Sequence, residues 1–293
     1  MKRSLIFLSI LLSSSCGRFS NEEASDRQSE ERWVGLSKQY NEILYALGAQ
    51  DRLVAVDLSS TYPPEIKELP TVGYHRALSA EGVLGVQPTL ILHDNNVGPE
   101  QVMEQLRKLE IPEKVFEASG KSWEGTQALI LEMGRFTQKE SQARSLVDSM
   151  VTRMTRARSS ITSTPLDSPS VVILHYGRAM NIYLTVTAES TAGTMVRWAG
   201  GKMAIDGDRG MRQLSSPELI AKADPDVILV TNFGYDRLED KSDILQLPGV
   251  ALTKAAKNGR IYRIEEHDLI YFGPRTPTNV MRIHQLLFEN AGS

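Results

Sequence analysis

Two stretches of this chain carry the same local plan, and that repetition constrains the fold more than any other feature. Residues 78–92 read LSAEGVLGVQPTLIL, and residues 214–230 read LSSPELIAKADPDVILV. With one residue inserted before the second acid, both run Leu-Ser, Glu, six further residues, Pro, and a short apolar run. Glu81 matches Glu218, and Pro88 matches Pro225. Each copy reads as a short helix capped by Ser, with a carboxylate in the first turn where the helix dipole favours negative charge. The Pro then stops the helix and launches a buried strand. Two such steps, about 137 residues apart, predict two similar lobes, each an α/β unit.

The rest of the chain fits that plan. WVGL and LVAVD read as strands on either side of the helix YNEILYALG, which Ser37 caps and Gly48 ends. TLILHD, the helix PEQVMEQLRKL and the strand KVFEA follow. Strand–helix alternation of this kind predicts a mainly parallel sheet covered by helices. Residues 121–160 break the rhythm: they hold no Pro, and Leu129, Met133, Phe136, Ala143, Leu146, Val147, Met150 and Met154 fall near helical spacing. They read as one long spine helix between the lobes, with Gly134 as the place where it could be interrupted; the alternative is a helix pair. The expected organisation is a first lobe over 32–120, the spine over 121–160 and a second lobe over 168–293. VVILHYG opens that second lobe, and RIYRIE and a helix after PRTP close it.

The N-terminus reads as an export signal. Lys2 and Arg3 precede the apolar stretch Leu5 to Leu12, and three serines lead to Cys16. Cys16 is the one cysteine in 293 residues, so it forms no internal disulfide. Its position resembles a bacterial lipoprotein box, although Ser13 stands where Leu is common and Leu12 lies one place further back. Residues 1–16 are therefore read as a lipoprotein signal and the polar residues 17–31 as a flexible tether. The expectation is an exported protein held to the bacterial cell envelope by lipid on Cys16, on the periplasmic or cell-surface side. No apolar run approaches about 18 residues, so nothing else is expected to enter a bilayer. A net charge of −3 gives no footprint for nucleic acid.

An exported, tethered, two-lobed α/β chain with a spine helix resembles the substrate-binding components of ABC importers for iron chelates and cobalamin. The strings EILYALGAQDRLVAVDLSSTYP, LPTVGYHRALSAEGVLGVQPTLIL, AGGKMAIDG, LSSPELIAKADPDVILV, LPGVALTKAAKNGRIY and FGPRTP sharpen this. In their order and spacing they resemble the haemin-binding proteins of bacterial haem uptake. The resemblance implies a non-catalytic protein that holds ferric haem b, its transported ligand, in the cleft between the lobes and hands it to an ABC permease. No GxSxG, HExxH, P-loop or dinucleotide fingerprint is present. Two other readings share the architecture: a ferric siderophore or cobalamin binder, and a transition-metal binder using His75, His93 and His175.

The resemblance also assigns residues. Tyr74, in the step VGY, matches the tyrosine whose phenolate holds the iron, and Tyr is a known axial haem ligand. Without the family, a loop tyrosine reads as a packed aromatic. Arg76 is placed to stabilise the phenolate or to pair with a propionate. His75 departs from the family, which often has Met there; it competes with Tyr74, adds a second contact, or points away. His175 ends the opening strand of the second lobe, at the strand ends that line a ligand crevice, and is a possible second ligand. Arg275 and Arg237 are further propionate contacts, with Tyr235 beside Arg237. Glu81 and Glu218 match the exposed acids, one per lobe, that dock on the permease; helix stabilisation accounts for them equally well. His93 reads as a hydrogen-bonded loop histidine, and His267 and His284 have no assigned role.

Overall fold

The apolar runs read as strands assemble into two separate sheets. The computed structural model describes residues 31–162, 167–177, 182–208, 210–214 and 216–288. The signal segment, Cys16 and tether residues 17–30 lie outside the described residues. In chain order the first lobe holds β1 (Trp33–Gly35), α1 (Lys38–Leu47), β2 (Leu53–Val56), α2 (Ala80–Leu84), β3 (Leu90–Leu92), α3 (Glu100–Lys108) and β4 (Glu113–Lys114). α4 (Trp123–Phe136) and α5 (Glu140–Thr162) lead to the second lobe. That lobe holds β5 (Ser170–Gly177), β6 (Ile182–Val186), α6 (Thr191–Trp198), β7 (Lys202–Met203), β8 (Met211–Gln213), α7 (Pro217–Ala223), β9 (Val227–Thr231), α8 (Asn232–Tyr235), α9 (Lys254–Lys257), β10 (Ile261–Ile264) and α10 (Thr276–Phe288).

The first sheet has the order β2-β1-β3-β4, parallel throughout. In the second, β5 pairs in parallel with β7 on one side and β9 on the other, and β9 pairs with β10. The parallel order β7-β5-β9-β10 thus repeats that of the first sheet. The duplicated motif occupies the same place in each: α2 feeds β3, and α7 feeds β9, the third strand of each order. Ser79 accepts a hydrogen bond from the Gly82 N–H at 3.0 Å, and Ser216 accepts one from Glu218 at 3.2 Å. The residue before each Pro is left-handed, Gln87 with φ 49° and Asp224 with φ 41°, outside the right-handed helical region that a following Pro disfavours.

Alternate strand residues feed alternate faces. Val171 and Ile173 enter one core of the second lobe, and Val172 and Leu174 the other. In the first lobe, Trp33 and Leu92 face one core while Val34 and Ile91 face the other. Burial on both sides is what turns such strands into continuous apolar runs. β6 and β8, antiparallel additions to β5, were not read from the sequence. Of the expected strand KVFEA, only Lys114 pairs, as the second residue of β4. LPGVALTKAAKNG folds as a 3-10 turn at Val250–Leu252 followed by α9. Thr253 separates them, because its hydroxyl donates to Val250 O and accepts from the Ala256 N–H.

The spine is two helices, not one continuous rod. Gln138 takes φ 59° and the Thr137 hydroxyl bonds back to Met133 O at 2.8 Å, ending α4. Gly134 is not the break. A Cβ there would lie 2.4 Å from Ala143 Cβ, so its bareness lets α4 and α5 touch. α5, 23 residues and about 35 Å long, joins the lobes. Its Ala143 and Met150 lie in the core of the first lobe, and its Met154 and Ile161 in that of the second. The fold is therefore α/β: two lobes of mainly parallel sheet with flanking helices, joined by one long helix.

A polar seam ties the lobes together along α1. Lys38 Nζ reaches Glu266 at 3.0 Å, and Gln39 donates to Phe272 O at 2.8 Å. Glu42 receives two bonds from Arg275 at 3.1 and 3.0 Å and one from the Tyr271 hydroxyl at 2.6 Å. Trp123 on α4 and Trp198 on α6 add an edge-to-face aromatic contact.

Candidate ligand-binding cleft

Parallel sheets present their strand ends to a crevice, and here strand ends of both lobes converge. β2 runs out into Asp57, a wholly buried carboxylate. It accepts from the Ser59 N–H at 2.9 Å, from the Ser59 hydroxyl and from the Ser60 hydroxyl at 2.5 Å. His75 Nδ1 lies 2.9 Å from Oδ2, the oxygen that Ser59 also bonds. Burial alone would raise the Asp57 pKa, but the hydrogen bonds from His75, Ser59 and Ser60 outweigh it and hold the group below the usual carboxylate value.

The loop carrying Tyr74, His75 and Arg76 is pinned on both sides. The Leu58 N–H bonds Gly73 O at 2.8 Å, and the Gly98 N–H bonds His75 O at 2.9 Å. Gly73 has φ 101°, a conformation that favours glycine and swings the next side chain outward. Tyr74 is half-buried, His75 buried and Arg76 exposed.

From the second lobe come His175, Tyr176 and Gly177 at the end of β5, Phe233 beyond β9, and Glu266 and Ile270 beyond β10. These residues, with Lys38, Ser59, Tyr74, His75, Arg76 and Asn96, line one cavity of about 230 Å³ between the lobes. That is below the usual 300–1,000 Å³ of a ligand pocket. A hollow of about 820 Å³ abuts it and shares Met211 and Ile270, which adds room along the same wall.

Glu266 anchors the second-lobe side. It pairs with Lys38 at 3.0 Å, and His175 Nε2 and His267 Nδ1 each lie 3.9 Å away. Burial pushes its pKa up, but the Lys38 ammonium first, with His175 and His267 beside it, outweighs burial and lowers it. His267 is driven down to about 4, by burial first and the Lys38 charge second.

The structure thus brings Tyr74, His75, Arg76 and His175 to one cavity. His75 does not point away: it lines the cavity from its seat on Asp57. Arg275 is elsewhere. Glu42 and Asp268 hold its guanidinium, which lies 3.5 Å from the Tyr62 ring centroid. Two carboxylates and an aromatic face consume its donors, so it is not presented to the cavity. Arg237 stacks 4.2 Å over Tyr176, itself a lining residue, at the cavity's outer edge. Glu81 and Glu218 are exposed on α2 and α7 and outside the cavity. His93 is buried against Glu113 at 3.2 Å and accepts from the Asn95 N–H, as a hydrogen-bonded histidine. His284 bonds Ala199 O. With His93 so placed, the three-imidazole metal site is not assembled, and among the described residues no group of three or more His, Cys, Asp or Glu is set to hold a metal ion. The transition-metal reading falls on that geometry.

Asp57, Ser59, Lys38, Asn96 and Glu266 were not singled out from the sequence. Asp57 had a local signal, an acid at a strand end followed by two serines; Lys38 and Glu266 become partners only through the tertiary fold.

Residues 34–267 match the model of the periplasmic binding protein family. This chain belongs to that family. It is a substrate-binding protein of ABC importers, whose members deliver a captured ligand to a membrane permease. An uncharacterized ABC transporter substrate-binding lipoprotein of Bacillus subtilis, YvrC, is 24% identical over 273 residues, 92% of this chain and 84% of that one. A vitamin B12-binding protein of Yersinia pestis is 38% identical over 85 residues, 29% of this chain and 30% of its own length. Among solved structures, the periplasmic haem-binding protein RhuT of Roseiflexus sp. RS-1 superposes with a TM-score of 0.79 at 29% identity, over 89% of this chain and 99% of that one. The periplasmic haem-binding protein BhuT, solved with two haems, gives 0.77 at 27%, over 88% and 98%. Among the described residues no helix is long and apolar enough to cross a membrane.

Proposed function

We propose that this family member binds ferric haem in the inter-lobe cleft, with the Tyr74 phenolate on the iron, and delivers it to an ABC permease. One observation carries this reading: the chemistry of the cleft wall divides as a haem does. A haem is an apolar disc with a hard ferric centre and two carboxylates. Leu184, Met211, Phe233 and Ile270 suit the disc, Tyr74 the iron, and Arg76 and Lys38 the propionates. The cavity is small for the whole disc, so one edge of the porphyrin stays outside it or extends along the neighbouring hollow. The haem-binding neighbours at 29% and 27% identity support the same choice. Lipid on Cys16 holds the protein to the envelope, and Glu81 and Glu218 meet the permease, one acid from each lobe.

Haemin titration followed by absorption tests the proposal. Wild type should give a Soret band with the red charge-transfer band of a phenolate-bound ferric haem. Tyr74→Phe keeps the ring and removes only the oxygen, and should lose that band and most of the affinity. An unchanged spectrum in Tyr74→Phe would make Tyr74 a packing residue. The match to a vitamin B12-binding protein favours cobalamin as the second reading, and a parallel cobalamin titration with tight binding and no haemin binding would replace the first.

A further inference from the structure

Tyr74 and His75 are consecutive, their rings lie 4.4 Å apart, and both line the cavity. Asp57 is the carboxylate behind His75. It is wholly buried and accepts from its other neighbours, so the hydrogen between it and Nδ1, at 2.9 Å, belongs to the imidazole. Nε2 is then the ring nitrogen left to meet a ligand. The neighbour of Nε2 is the amide of Asn96, exposed and at a long 3.4 Å. A carboxylate that holds one imidazole nitrogen while the other faces a ligand is how proteins fix the tautomer of a metal-binding histidine and raise its basicity. His175 is seated differently, with Nδ1 3.2 Å from the Thr231 hydroxyl and Nε2 facing buried Glu266.

We infer that the cleft carries two metal donors side by side, and that His75, positioned by Asp57, binds porphyrins whose metal is divalent and nitrogen-seeking, ferrous haem among them. This rests on the haem reading of the same cleft. A ferric centre, hard and carrying the extra charge, takes the anionic oxygen of Tyr74. A divalent centre gains less from a phenolate and prefers a neutral imidazole. The Asp57 bond occupies Nδ1 of His75 and leaves Nε2, whose protein neighbour is Asn96 at 3.4 Å, as the nitrogen that meets a metal. Because the two donors are sequence neighbours on one pinned loop, one porphyrin site serves both by a small shift of the metal.

Zinc protoporphyrin IX, which takes one nitrogen ligand and does not change oxidation state, tests this beside haemin. Wild type should bind both, with a red-shifted Soret band for the zinc form. His75→Ala should weaken the zinc porphyrin at least about tenfold more than it weakens haemin, and Tyr74→Phe should weaken haemin more than the zinc porphyrin. Asp57→Asn should weaken the zinc porphyrin by about 10–100-fold, the range for losing a carboxylate behind a metal-binding histidine. Nitrogen-15 shifts of His75 in the unliganded wild type should show hydrogen on Nδ1, a readout that holds even if Asp57→Asn fails to fold. Hydrogen on Nε2 would overturn the role of Asp57. Unchanged zinc-porphyrin affinity in His75→Ala, or a loss confined to His175→Ala, would overturn the inference. Wild type that binds haemin alone refutes only this step; wild type that binds neither refutes the haem reading itself.

Discussion

Replacing Arg275 with Met removes its charge while keeping most of its length, and tests whether this residue belongs to the seam or to the ligand. Arg275 gives Glu42 two hydrogen bonds, at 3.1 and 3.0 Å, and also bonds Asp268. The two carboxylates are 3% and 4% exposed, so the variant leaves both buried with fewer donors. Removing one partner of a buried ion pair costs about 3–5 kcal/mol. Glu42 keeps the Tyr271 hydroxyl and Asp268 keeps Arg282, which places the expected loss near the lower end, about 3 kcal/mol. A fold worth about 5–15 kcal/mol survives that. Urea denaturation should show a lower midpoint at unchanged slope. Adding Glu42→Gln should recover about 1–2 kcal/mol relative to the single variant, because the amide needs no counter-charge. Haemin affinity should move by less than about threefold. A loss below about 1 kcal/mol, or a tenfold loss of haemin affinity with stability intact, would refute the reasoning and return Arg275 to the propionates.

Acid should loosen the same region. His267 takes its proton near pH 4 when folded and near 6.5 when unfolded, so the unfolded chain binds more protons between those values. Stability should therefore fall by about 3 kcal/mol as pH drops through that window; His267→Gln, which does not titrate, escapes this loss, so its urea midpoint should gain on that of wild type between pH 7 and pH 4, and a gap that stays constant would refute the assignment. Gly134→Ala should destabilise by about 1–3 kcal/mol in thermal unfolding despite its better helix propensity, since the new methyl collides with Ala143; a stabilised variant would show that α4 and α5 separate freely. Small-angle scattering with and without haemin should give nearly the same radius of gyration, because α5 is embedded in both cores; a large compaction would point to a hinge. Reversing Glu81 and Glu218 to Lys should leave haemin binding intact and abolish transport through the cognate permease, and normal transport would leave these acids only their helix-capping role.

Much of the fold was legible because it rests on local chemistry. Ser37 caps α1 and Gly48 ends it in the left-handed region, both as read from residue type. The duplicated helix–strand step proved to mark the same place in two sheets of the same parallel order. What the sequence concealed depended on distant partners. The spine breaks at Gln138, where no glycine or proline advertises a turn, while Gly134, which does, is a packing site. His75 faces the cavity because Asp57, 18 positions earlier, holds its ring. Arg275 misses the cavity because Glu42, 233 positions earlier, reaches it first. The antiparallel strands β6 and β8 hid because they extend a sheet whose alternation signal was already complete.

The seam along α1 also sets an order of events in the making of the chain. Lys38, Gln39 and Glu42 are synthesised long before their partners at 266, 272 and 275, which come 228 to 233 positions later. Until those arrive, this edge of the nascent lobe is hydrophilic, and water satisfies it at no desolvation cost. A waiting edge built of leucines would be adhesive for the whole of that interval. Only when the guanidinium is delivered does the carboxylate of Glu42 become enclosed, so burial of that charge coincides with the arrival of the group that neutralises it.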